Sequence, residues 1–344
     1  MKKTLLAGAL SIACFTGGFG LQANAQENVE LDRFIHPKQV VAATDQVKLM
    51  TYQDVYKSFL LAKLAYDDKD MSLVTTKDSI TVKITLKGLM QFSEVSAQEQ
   101  KEFKELFGDA MQMKFMPSGN SFKTEVFSEG KWRSFSKKDM NSFIVGLSEE
   151  AVDLKPGGYF TDTIGHWAES YIQFLYQADI INGTSATTFN PNGQVTRGQL
   201  VSMIFRASGL DVNEDYEGPA TYKDLANYKG AKEVAILEEY GFIDIFDGVN
   251  FEPNKPITRE EMAYVTARYL EGMNFDVSKV SKNNPFTDKN QMRPETVEAI
   301  GLLKQLGVID GANGQFNPKG NLTRAQFSKI LTLTILSLHD DKSN

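Results

Sequence analysis

Apolar positions along this chain follow two regimes. Beyond residue 160 they recur as short stripes at helical spacing: Ile172 and Leu175, Val234 and Leu237, Ile300 and Leu303. Longer stripes follow each pair: Leu200, Met203, Ile204 and Ala207; Met262, Val265 and Tyr269; Phe327, Ile330 and Leu331. Spacings of three and four residues place each set on one helix face. Before residue 155 the pattern is mixed. Residues 53–66 read as a helix through Val55, Phe59, Ala62, Leu64 and Ala65. Residues 79–87 alternate, with Ile80, Val82, Ile84 and Leu86 against Thr81, Lys83 and Thr85, which predicts a strand. Residues 97–113 read as a helix carrying Phe103, Leu106, Phe107 and Ala110, and 122–135 as a hairpin turning at 128–130. Residues 139–147 suggest one more helix. Residues 26–155 are therefore expected to form a small α+β domain.

The helical stripes belong to a repeat. Residues 160–210, 222–272 and 286–336 each open on aromatic-x-Asp, with Asp162, Asp224 and Asp288. Each continues with Phe-x-Pro, at Phe189–Pro191, Phe251–Pro253 and Phe316–Pro318, and then Thr-Arg. The Asp-to-Arg separations are 35, 35 and 36 residues, a register that chance does not hold three times. Each unit reads as helix, turn, loop, helix. The residue before a proline avoids the helical region, so Phe-x-Pro cannot continue the first helix. A unit of this size cannot bury its own faces, and the three are expected to pack together through their stripes. The fold class is thus mainly α, with a C-terminal helical bundle of repeats at 156–212, 219–273 and 284–338 after the α+β domain.

Thr-Arg divides into a legible half and a puzzling half. Thr196, Thr258 and Thr323 are followed three residues later by Gln199, Glu261 and Gln326, the spacing of a capping box. The cap does not explain Arg197, Arg259 and Arg324. A cation in the first turn opposes the helix dipole. Either each arginine bonds its own repeat's Asp162, Asp224 or Asp288, or a neighbouring loop carbonyl, or it holds an anionic ligand at the helix N-terminus. Guanidinium–carboxylate geometry suits both.

Together, Phe160-Thr161-Asp162, His166-Trp167-Ala168, Ile180-Ile181-Asn182-Gly183, Phe189-Asn190-Pro191-Asn192 and Val195-Thr196-Arg197 resemble an S-layer homology (SLH) repeat, and two further copies follow. The resemblance covers roughly residues 159–337. It implies a pseudo-threefold bundle that binds secondary polysaccharide of the bacterial wall non-covalently, often through a negatively charged ketal-pyruvate sugar. It implies glycan-binding roles for Arg197, Arg259 and Arg324, for Asp162, Asp224 and Asp288, and for Trp167. Three departures bear on those roles. The motif's final Glu is Gln199 and Gln326 in two copies. Lys229 and Glu295 stand where the first copy has Trp167, which limits stacking on an aromatic face to one groove. The second copy reads Ile243-Asp244-Ile245-Phe246 through its central turn, without glycine. The grooves of Arg197 and Trp167 rank first on this reading, and the second copy ranks as degraded.

Composition adds limits. The 344-residue chain carries a net charge of -7, which argues against a nucleic-acid partner. Lys2 and Lys3, an apolar run and Ala23-Asn24-Ala25 read as a signal peptide over residues 1–25, with no membrane span after its removal. The expected location is secreted, at the cell wall or S-layer surface. Cys14, the only cysteine, falls inside that segment, so the mature chain is expected to lack disulfides and thiol chemistry.

Catalytic chemistry is hard to find in residues 26–155. His36 is the lone histidine there, Asp67-Asp68-Lys69-Asp70 lacks the ligand spacing of a calcium loop and reads as a solvated turn, and Met111, Met113, Phe115 and Met116 read as core. Trp132 reads as core or hairpin packing. His166 and His339 have no metal-ligand pairing. No metal or cofactor is implied. The expected function is non-enzymatic: a surface protein held by wall polysaccharide, displaying its N-terminal domain, with other surface proteins as further partners. The alternative is a wall-attached hydrolase, or a ligand- or protein-binding module, acting through residues 26–155.

Overall fold

A computed structural model describes residues 52–65, 69–90, 97–119, 121–128, 130–135, 157–213, 215–216 and 218–342. The segment expected to be a signal peptide, His36 and the helix expected over 139–147 lie outside them. The chain forms two compact units. The first includes the described residues up to Ala178 together with Gly183–Phe189, and the second comprises Asp179–Asn182 and the described residues from Asn190 on. The first helix of repeat one thus belongs with the N-terminal domain.

In the first unit, α1 (Tyr52–Ala65) precedes β1 (Met71–Thr75), β2 (Ile80–Thr85), the short α2 (Leu86–Met90) and α3 (Ala97–Phe107). Then come β3 (Ala110–Ser118), β4 (Ser121–Ser128) and β5 (Lys131–Phe135). The five strands form an antiparallel meander in sequence order. Alternation decides what is buried. Ile80, Val82 and Ile84, then Met111, Met113 and Phe115, and Val126 pack with Tyr56, Phe59, Leu60 and Phe103 from the helices. Trp132 lies on the other face, edge-on to Phe127 and beneath the Lys114 ammonium at 4.5 Å from its ring.

Two expectations need correction. The helix predicted over 97–113 ends at Phe107, because Gly108 turns left-handed at φ 66. Met111 and Met113 are core residues of a strand instead. Asp70 is not solvated: it is 4 % exposed and accepts from Thr85 Oγ1 (3.2 Å) and Lys87 Nζ (2.8 Å). The hairpin expected over 122–135 is present, and Gly130 takes φ 75 at its turn.

The first unit also holds α4 (Glu169–Gln177), whose Ile172 and Leu175 are buried as the stripe requires. Buried Glu169, at its first position, accepts from Tyr56 Oη, Thr75 Oγ1 (2.7 Å) and the Gly165 amide (3.1 Å). Burial pushes its carboxyl above the ordinary range, and these three donors only partly counter that.

The second unit contains α5 (Arg197–Ser208), α6 (Ala231–Glu239), α7 (Arg259–Gly272), α8 (Pro294–Gln305) and α9 (Arg324–Lys342). Their predicted stripe residues are buried. The Thr-Arg helices start at the arginine, and Thr196 and Thr258 close capping boxes with Gln199 and Glu261. Thr323 and Gln326 exchange the same two bonds, at 2.9 and 3.2 Å.

Candidate functional site

Each Thr-Arg helix begins with backbone donors that its own turn cannot satisfy. The threonine fills one. The next repeat's Phe-x-Pro loop fills two more. Arg197 and Gly198 amides donate to Lys255 O and Pro253 O of repeat two, both at 2.9 Å. Arg259 and Glu260 amides donate to Gly320 O (2.8 Å) and Pro318 O (3.0 Å) of repeat three. Arg324 and Ala325 amides return to Gly193 O (2.8 Å) and Pro191 O (2.9 Å) of repeat one. Single β-bridges, Thr196 to Pro256, Thr258 to Asn321 and Gln194 to Thr323, accompany the three junctions. The loops therefore close a ring, one on two, two on three, three on one. These helix ends are filled by protein carbonyls, so the backbone supplies no free anion cradle there.

The aspartates build the loops that make this possible. Asp162 accepts from the Phe189 amide at 2.8 Å. Asp224 accepts from Phe251 and Glu252 amides, both at 2.8 Å. Asp288 accepts from Phe316 and Asn317 amides, at 3.0 and 2.8 Å. The residue before each proline is held at positive φ: Asn190 at 58°, Glu252 at 56° and Asn317 at 58°. This is neither helical nor extended backbone, and asparagine tolerates it better than glutamate.

The arginines turn outward from their own repeats. Arg197 donates from Nη1 to Phe251 O (3.0 Å) and from Nη2 to Glu261 Oε1 (2.8 Å), and its Nη1 lies 3.3 Å from Glu252 Oε2. Its guanidinium lies over the Phe246 ring at 4.6 Å. Arg259 donates from Nε to Phe316 O and from Nη2 to Asp310 O, both at 2.8 Å, and lies over Phe316 at 4.4 Å. Arg324 donates from Nη2 to Asn182 O at 2.8 Å. Of the partners left open by the sequence, the neighbouring loop carbonyl recurs at all three. The charges bearing on Arg259 are those of Asp288 and Asp310 in the following repeat; burial lowers its proton affinity and these two oppose that.

Sequence reasoning missed a cluster around Arg197. Glu261, 3 % exposed, also accepts from the Thr258 amide (2.9 Å) and stands 3.4 Å from Arg293 Nη2. Burial would raise its pKa, but the Thr258 amide and the Arg197 guanidinium outweigh burial and hold it low. Glu260, 1 % exposed, accepts from Lys319 Nζ and the Arg293 amide (3.0 Å). The available signal was Glu252, where the other loops carry Asn190 and Asn317.

Trp167 is 57 % exposed, its ring 5.4 Å from that of His166. Lys229 and Glu295 are also exposed. Among the described residues no group of three or more His, Cys, Asp or Glu could hold a metal ion.

The S-layer homology domain model matches residues 159–201, 221–263 and 285–328. An endoglucanase of Bacillus sp. (strain KSM-635) is 33 % identical over 178 residues, 51 % of this chain and 18 % of that protein. S-layer protein sap of Bacillus anthracis is 32 % identical over 188 residues, 54 % of this chain and 22 % of that protein. S-layer protein EA1 of Bacillus anthracis is 26 % identical over 172 residues, 49 % of this chain and 19 % of that protein. The chain spans less than a quarter of the length of these curated relatives.

Proposed function

From a chain that carries three S-layer homology domains within residues 159–328, we infer a cell-surface anchoring protein whose repeats grip the secondary polysaccharide of a bacterial wall. The anchored sugar is anionic, most simply one bearing a pyruvate ketal, and the attachment is non-covalent. The N-terminal domain is the displayed part, and no reaction is assigned to it. No helix among the described residues is long and apolar enough to cross a membrane.

The observation that carries this reading is the placement of Arg197, Arg259 and Arg324 at three equivalent inter-repeat junctions. A guanidinium is the side chain best matched to a carboxylate. Its cost beside a positive helix end is met by carbonyls of the next repeat. Exposed Trp167 supports stacking against a sugar ring. Linked sites on one polymer raise avidity by factors of ~10² or more, which gives triplication a purpose.

Retention on purified wall sacculi tests the reading. The full chain is needed, because the first helix of repeat one belongs to the unit that contains the N-terminal sheet. The chain is expected to sediment with walls and to be lost when pyruvate ketals are removed by mild acid. Arg259→Ala with Arg324→Ala is expected to cut retention by about tenfold or more. Undiminished retention of that variant, shown folded by circular dichroism, rejects arginine-based anchoring.

A further inference from the structure

The three junctions are built alike but charged differently. Two departures of repeat two, Glu252 and Phe246, converge on Arg197, and so does its retained motif glutamate, Glu261. Glu252 replaces the asparagine of the other two loops and reaches the Arg197 guanidinium at 3.3 Å. Glu261, which keeps the motif's glutamate where the other two copies carry glutamine, pairs with Arg197 at 2.8 Å, with both side chains buried. Phe246, from the turn that lacks glycine, lies against the guanidinium. Ion pairs within 4.0 Å join Arg197, Lys255, Arg293 and Lys319 to Glu252, Glu261, Glu260 and Asp247, four cations with four carboxylates.

Arg259 differs. Its bonds go to two carbonyl oxygens, and among the described residues it pairs with no carboxylate. The Asp310 carboxylate is taken by Lys304 (2.9 Å) and Lys329 (3.7 Å). Gln326 and Asn317 stand where Arg197 meets Glu261 and Glu252.

Glu252 shares the left-handed backbone of Asn190 and Asn317 at the same loop position. It occupies φ 56, a left-handed conformation suited to asparagine, where its amide is held by Asp224 and its side chain by Arg197 and Lys255. These contacts set its carboxylate against the Arg197 guanidinium.

We propose that Glu252 and Glu261 act as built-in anions that close the Arg197 junction to an external carboxylate, leaving Arg259 with a guanidinium edge for the wall sugar. The proposal rests on the anchoring reading and reverses the rank of the grooves that the sequence suggests. The repeat with the degraded motif does not simply lose a site; its carboxylates occupy one.

Calorimetry of the full chain with a methyl hexopyranoside bearing a 4,6-linked pyruvate ketal tests it. Arg259→Ala is expected to weaken binding by about tenfold or more, and by clearly more than Arg197→Ala with Glu261→Gln does. Glu252→Asn with Glu261→Gln is expected to add a binding equivalent that Arg197→Ala removes again. Equal losses from the Arg197 and Arg259 variants overturn the closure, as does unchanged stoichiometry in the folded carboxylate variant. Arginine labelling with p-hydroxyphenylglyoxal, mapped by mass spectrometry, gives a readout without sugar. Glu252→Asn alone, at a half-exposed position, is expected to make Arg197 reactive where the natural chain spares it; equal labelling in both overturns the closure. A sugar that binds none of the chains rejects the anchoring reading instead, and the labelling still decides the closure.

Discussion

Arg197 Nη2 lies 2.8 Å from Glu261 Oε1, although 64 residues separate them in sequence. Each is a first-turn residue of a different Thr-Arg helix, and the pair ties repeat one to repeat two. Arg197→Ala leaves Glu261 buried with Arg293 as its remaining cation. The expected cost is about 3 kcal/mol, as for breaking a buried ion pair. Adding Glu261→Gln removes the stranded charge and is expected to recover about half of that. Urea unfolding of the two variants checks this, and equal stabilities would count against the pairing.

Glu169 predicts a pH dependence of the opposite kind to an ordinary ion pair. Its folded pKa is raised, chiefly by burial. Between the unfolded value, near about 4.3, and the folded one, the native state keeps a proton that the unfolded state has lost. Its contribution is therefore fully present below the unfolded pKa and is lost as pH rises through the folded one. Glu169→Gln removes that slope. Melting curves from acid to neutral pH should show the variant gaining on the natural chain as pH rises. A constant gap would rule out a raised carboxyl.

The loop aspartates should not be equivalent. Asp288 is 4 % exposed, whereas Asp162 and Asp224 are exposed. Water can replace an exposed carboxylate but not a buried one. Asp288→Ala leaves the amides of Phe316 and Asn317 without their acceptor, at about 1–3 kcal/mol for each buried donor. Asp224→Ala is expected to cost clearly less in the same thermal denaturation series.

Gly311 is required by space. A Cβ there would lie 2.3 Å from Gln315 O and 2.4 Å from the Phe286 ring. Gly311→Ala is expected to cost about 1–3 kcal/mol through overpacking. Gly218, where nothing lies within 4 Å of an added Cβ, serves as the neutral comparison in denaturant melts.

Local chemistry was readable in advance. Thr196 and Gln199 are three residues apart on one helix, so their reciprocal cap follows from spacing alone. The buried stripes of α5, α7 and α9 follow from helical period in the same way. The β2 strand was legible because Ile80, Val82 and Ile84 alternate cleanly. The β3 strand was not, because its apolar residues continue directly from the stripe of α3, and only the left-handed turn at Gly108 separates the two periods. The five-residue β1 was missed because only Met71 in it is buried.

By itself, the sequence determined three copies of a capped helix preceded by a Phe-x-Pro loop, with an arginine left over at each helix start. Those features depend on residues a few positions apart. Tertiary structure alone decided where each arginine goes, because its partners belong to the next repeat around a closed ring. Arg197 meets Glu252 and Glu261 there, while Arg259 meets the carbonyls of Phe316 and Asp310. The physical reason is that a loop's carbonyl and carboxylate oxygens reach a neighbouring helix end only once three faces, none buriable alone, have packed together.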